Sequence, residues 1–126
     1  MVRFYLGEMH KLDPILHGVI EVNPDALLQA DKADRDRKAK LPGSLLGLHG
    51  IHILLKDNNA TKDKMNTTAG SFALLKSVVV YGCRRGEKLR KVGAIILGKA
   101  CLSEWAGSRF ATPYGWCARA GQGRVN

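Results

Sequence analysis

Apolar residues along the chain fall in short runs, set apart by polar stretches rich in glycine and proline. Phe4, Leu6 and Met9 are partly in phase over residues 1–11, as at the end of a helix. Leu16 to Val22 reads Leu-His-Gly-Val-Ile-Glu-Val, which predicts a short strand. Asn23-Pro24-Asp25 then opens a helix. Asn23 suits the cap, Pro24 the first helical position, and Asp25 the positive end of the helix dipole. That helix is expected to run to about Lys38, with Leu27, Leu28, Ala30 and Ala33 as its apolar side, and to stop at Pro42-Gly43.

A glycine-rich loop follows over residues 41–50, and then Ile51-His52-Ile53-Leu54-Leu55, a run apolar enough for a strand buried on both faces. Lys56-Asp57-Asn58-Asn59 turns away from it. Thr67 to Ser71 is a loop of small residues, Phe72 to Lys76 starts a helical turn, and Gly86 to Lys91 is helical in pattern. Ala94-Ile95-Ile96-Leu97 is a second buried strand, closed by Gly98. Ser103 caps a short helix through Glu104 and Trp105, and the tail from Gly107 reads as loop. Strands that alternate with helices predict an α/β fold.

With 126 residues the chain is the size of one domain. Its 45% hydrophobic and 25% charged residues are globular proportions, which excludes a disordered or fibrous class. No apolar run nears the roughly 20 residues of a membrane span. The first residues carry Glu8 and His10 where a signal peptide keeps an apolar core, so a cytoplasmic chain is expected. The net charge is +9, but its distribution is not that of a nucleic-acid binder. Between Asp31 and Lys40 the signs alternate, as on a solvated helix face, and aromatics are too sparse for a base-stacking platform. The purely basic cluster is Arg84, Arg85, Lys88, Arg90 and Lys91, diluted by Glu87.

Cys83, Cys101 and Cys117 match neither zinc nor redox spacing, and an odd count speaks for free thiols. The histidines His10, His17, His49 and His52 have no cysteine or carboxylate at metal-ligand spacing, so no metal is expected. Gly93 to Ala100 almost spells a phosphate-binding loop. Ala100 stands where magnesium needs a hydroxyl, however, and the intervening residues are apolar and strand-forming. The triplets Asn59-Ala60-Thr61 and Asn66-Thr67-Thr68 are chance matches to a glycosylation signal. Lys56 differs from these. At the end of an apolar strand its stem is open to burial, which lowers an amine's pKa and makes a neutral general base. A strand-end lysine that simply reaches solvent is the plainer alternative.

Gly47-Leu48-His49-Gly50-Ile51-His52-Ile53-Leu54-Leu55-Lys56-Asp57-Asn58 resembles a defining motif of the amidase signature family. The resemblance continues through Thr67-Thr68-Ala69-Gly70-Ser71 and through Leu89 to Ala106. Gly115-Trp116-Cys117-Ala118-Arg119-Ala120-Gly121-Gln122 is similar to a segment of one amidase subgroup, and Glu21 to Leu27 fits the upstream part. It covers nearly the whole chain, in order and at family spacing. It implies an α/β fold, part of a mixed β-sheet flanked by helices, with residues 1–126 as an incomplete amidase signature domain, its N-terminal part. It also implies a serine–serine–lysine triad in which Lys56 is the lysine. Neutral Lys56 would take a proton from a bridging serine, which activates a nucleophilic serine against an amide carbonyl. No cofactor is implied, and the partner is a small-molecule amide.

The chain departs from that pattern in three ways. Ser71, Ser77, Ser103 and Ser108 match neither triad serine, so the 126 residues alone are expected to be inactive. Cys117 and Ala120 replace a serine and a glycine of the last motif. Tyr81-Gly82-Cys83-Arg84-Arg85-Gly86 puts two arginines at positions expected to face the core, where burial unpaired costs several kcal/mol. An adjacent reading frame can spell Thr-Asp-Ala-Gly-Val-Val there, so a compensated frameshift is expected. The alternative to an amidase is a small basic module that contacts anionic partners through Arg84 to Lys91.

Overall fold

The computed structural model describes residues 1–42, 47–77, 79, 81–108 and 112–124. Helix α1 spans Val2–Leu16, β1 Val19–Val22, α2 Ala26–Lys38 and β2 His52–Lys56. Helix α3 spans Arg84–Lys91 and β3 Ile95–Ala100, and β4 Trp116–Cys117 and β5 Gly121–Gln122 form a terminal hairpin. Single 3-10 turns occupy Phe72–Leu74 and Glu104–Gly107. The sheet has the order β1-β3-β2, with β1 antiparallel and β2 parallel to β3. It is mixed and carries helices, which is the expected α/β class.

Strand β3 is central because it is the most apolar segment and can be covered on both faces. Ile95, Ile96, Leu97, Gly98 and Lys99 are all buried. Ile95 and Leu97 pack with Val2 of α1 and with Ala26 and Ala33 of α2. Ile96 packs on the other face with Leu55 and Met65. Gly98 does not close the strand as expected; it lies inside it. A Cβ there would come within 2.3 Å of the Glu21 carbonyl oxygen, so glycine is what lets β1 approach.

Several expectations need correction. Helix α1 runs past residue 11 to Leu16 and ends at His17 in a left-handed conformation, with Asp13 Oδ1 accepting from the backbones of Gly18 and Val19 at 2.8 and 2.7 Å. Helix α2 starts at Ala26, not after Asn23. Buried Asn23 instead donates to the Ile96 carbonyl (2.6 Å) and accepts from the Asp25 N–H (2.9 Å), which ties the β1–α2 corner to β3. The buried side of α2 is alanine; Leu27 and Leu28 are exposed. The helix ends at Lys38, ahead of Pro42, and Gly43 lies outside the described residues.

Strand β2 sits at the edge of the sheet rather than inside it, so only Leu55 is buried and Ile51 and Leu54 are exposed. Arg84 and Arg85 are exposed too, not core-facing. Helix α3 begins at Arg84, so both lie in its first turn, whereas Gly86 packs against the Ala60 carbonyl. Cys83 caps that helix by accepting from the Gly86 N–H at 3.3 Å. Residues 81–83 therefore lead into α3 with both arginines exposed. Ser103 makes no side-chain cap; its hydroxyl accepts from the Gly115 N–H at 2.9 Å. The tail expected to be loop holds the β4–β5 hairpin.

Candidate active site

Parallel pairing of β2 with β3 brings the C-terminal ends of the two strands side by side. Lys56 lies opposite Ala100, and Leu55 opposite Lys99. In open sheets that end is where polar groups gather over the strand tips. The polar turn after β2 starts there: Asn59 donates to the Lys56 carbonyl from its backbone (2.8 Å) and its side-chain amide (3.1 Å).

Lys56 is exposed, and among the described residues its ammonium makes no hydrogen bond or ion pair. The buried lysine is Lys99, one of the largest fully buried side chains. Its ammonium donates to the Asn59 carbonyl (2.5 Å) and to Thr67 Oγ1 (3.1 Å). Burial pushes its pKa below the ordinary 10.5, while Asp57, Asp63 and Glu21 oppose the shift. The environment that sequence reasoning sought at Lys56 thus surrounds Lys99.

Asp57, next in the chain to Lys56, is fully buried. Its Oδ2 accepts from the backbones of Thr68 (3.2 Å) and Gly70 (3.1 Å) and from the Thr68 hydroxyl. Arg119, after β4, lies 3.9 Å from that oxygen and 3.6 Å from Glu21, and donates to Thr68 Oγ1 at 3.3 Å. Glu21 in turn accepts from the backbone and side chain of Asn66 at 3.1 to 3.2 Å. One polar network therefore joins β1, the turn after β2, the small-residue loop and the hairpin. Asp57 Oδ1 is buried with no partner among the described residues. Gly70 fits this crowded spot because its φ is +77° and a Cβ would meet Cys117 Cβ at 2.5 Å.

The serines serve local structure. Buried Ser71 accepts from the Ala73 N–H at 3.4 Å, and Ser103 holds Gly115. In the basic cluster, Arg90 donates to the Thr61 carbonyl and pairs with Asp63. Arg84, Arg85 and Lys88 are solvated. Sequence reasoning missed the Asp57–Thr68–Arg119 network and the contact of Cys101 with Cys117, whose sulfurs lie 3.3 Å apart. The signal available for the first was an aspartate directly after an apolar strand.

The amidase family model matches residues 1–116. The chain belongs to the amidase family. It is 58% identical to a probable amidase of Arabidopsis thaliana over 98% of this chain and 24% of that protein. A putative amidase of Schizosaccharomyces pombe is 44% identical, over 98% of this chain and 21% of its own length. Among solved structures, the peptide amidase of Stenotrophomonas maltophilia superposes with a TM-score of 0.86 at 44% identity. That match covers 98% of this chain and 25% of that one. An amidase family protein of Bacillus anthracis gives 0.85 at 32%, over 97% of this chain and 24% of that one. The chain spans about a quarter of the length of the relatives it matches.

Among the described residues no helix is long and apolar enough to cross a membrane. The same residues contain no group of three or more His, Cys, Asp or Glu arranged to hold a metal ion.

Proposed function

We propose that this chain is the lysine-bearing part of an amidase domain that cleaves amide C–N bonds through an acyl-serine intermediate. The observation that carries the reading is the amidase match over residues 1–116; within that stretch we assign the triad lysine to Lys56 from the resemblance of its motif. Its placement suits the role. Lys56 ends an edge strand with its ammonium unengaged among the described residues, next to a backbone that Asp57 fixes through three hydrogen bonds. Once the rest of the domain covers that strand end, the amine loses water and becomes a base able to accept a serine proton. The activated serine attacks the carbonyl, backbone N–H groups hold the oxyanion, and water releases the acid.

Neither serine is assigned here, because Ser71 and Ser103 are committed to the turns they brace. The 126 residues by themselves are therefore inactive. The substrate is a small or peptide-like amide, in keeping with the peptide amidase relative, and the reaction needs no cofactor. Three free thiols suit a reducing compartment, and we assign the chain to the cytoplasm.

The test is to fuse residues 1–126 to the remaining three quarters of the Arabidopsis relative and assay both forms on a panel of simple amides and peptide amides. The fused chain is expected to turn over and to be labelled by a serine-directed phosphonate, and the 126-residue chain to do neither. A well-folded fusion without turnover overturns the reading.

A further inference from the structure

The sulfurs of Cys101 and Cys117 are 3.3 Å apart, although sequence spacing pairs neither cysteine with anything. Cys101 follows β3, where its N–H is held by the Gly18 carbonyl at 2.8 Å. Cys117 is the fully buried end of β4, wedged against Gly70. A disulfide needs S–S near 2.05 Å, so the two sulfurs have only about 1.2 Å to close. Cys101 is the accessible member. It lines a cleft of about 470 Å³ together with His17, Tyr114, Gly115 and Gln122. Cys83, the third cysteine, is held apart at the start of α3.

We propose that Cys101 and Cys117 are a site of disulfide formation by exchange with a small disulfide such as oxidised glutathione. The Cys101 thiolate attacks one glutathione sulfur, the glutathione S–S bond breaks, and one glutathione thiolate leaves. The Cys117 thiolate then attacks Cys101 Sγ from the buried side and expels the second glutathione thiolate. Two protein thiols are oxidised to one disulfide, and one glutathione disulfide is reduced to two thiols. The product staples the hairpin to the end of β3, next to Gly70 and Arg119, and so braces the network around Asp57. This inference stands independently of the amidase reading, because it uses only groups of this chain.

Burial and the Cys117 thiol push the Cys101 thiol up to about 12. The raised Cys101 thiol carries little thiolate at neutral pH, so oxidation of the pair is expected to quicken as pH rises from 7 to 9.

The test treats the 126-residue chain with oxidised glutathione at pH 8.5, traps free thiols by alkylation, and maps the linkages by peptide mass spectrometry. The Cys101–Cys117 linkage is expected to exceed all linkages through Cys83 by at least about tenfold, because folding raises the effective concentration of the adjacent pair. In concentrated guanidinium that preference is expected to vanish, since loop-closure entropy depends only weakly on length. Cys83→Ser should keep the linkage, and Cys117→Ser should strand Cys101 as a glutathione adduct. Closing a loop of about fifteen residues should also lower the unfolding constant roughly a hundredfold. The same linkage pattern in native and denaturing buffer, or a native adduct confined to Cys83, overturns the proposal.

Discussion

Lys56 and Lys99 lie at the C-terminal ends of two neighbouring parallel strands, one residue apart in register, yet they sit in opposite surroundings. Lys99 belongs to the central strand, is fully enclosed, and has its ammonium held by the Asn59 carbonyl and Thr67. Lys56 belongs to the edge strand, faces solvent, and holds nothing with its ammonium among the described residues. Position in the sheet makes the difference: β3 is covered on both faces by α1, α2, Leu55 and Met65, whereas β2 has one open edge. A lysine so enclosed, with its nitrogen committed to the Asn59 carbonyl and Thr67, is a strut. In our proposal the chemistry falls instead to Lys56, whose ammonium is unengaged among the described residues.

Substitutions can break or sharpen that contrast. The largest effect on stability is expected from Lys99→Ala, which leaves Asp57 and Glu21 with less buried positive charge and orphans the Asn59 carbonyl. A loss of about 2–5 kcal/mol in urea unfolding is expected, the usual cost of truncating a long buried side chain and leaving its hydrogen-bond partners unpaired. Gly98→Ala comes next at about 1–3 kcal/mol, because the added methyl collides with the Glu21 backbone and pushes β1 from β3. The pH dependence is smaller still. The pKa of Lys99 is lower in the folded chain than its ordinary 10.5, so the unfolded chain binds more protons between those two values. Over that window this group makes stability rise with pH. Urea midpoints of the wild type, taken relative to Lys99→Met, should therefore climb as pH approaches 10.5. The smallest effect belongs to Lys56→Ala, whose midpoint should stay within about 0.5 kcal/mol of wild type, as for an exposed side chain.

The same contrast marks what the sequence could reveal. Strand β3 was legible because four consecutive apolar residues end at glycine, and α2 because Asn-Pro-Asp announces a helix. Strand β2 was legible as an element but not as an edge, since an apolar run carries no information about which neighbours are present. The hairpin β4–β5 escaped notice because two-residue strands between glycines show no alternation. Nothing local marks Lys99, because lysine is almost never fully buried without partners, and its partners lie 32 to 40 residues away. Arg119 meets Thr68 across 51 residues, a contact that no local pattern encodes. Lys56 stands out through the motif that carries the family resemblance. Its local physics alone left a solvent-reaching lysine as the plainer reading.

The central claim is that Lys56 is the base and Lys99 is not, and single-turnover acylation of the fused amidase chain tests it most directly. Lys56→Ala is expected to slow acyl-enzyme formation by at least about 10³-fold, the scale of losing a triad member, with the thermal midpoint unchanged. Acylation near the wild-type rate in a folded Lys56→Ala chain would contradict the account.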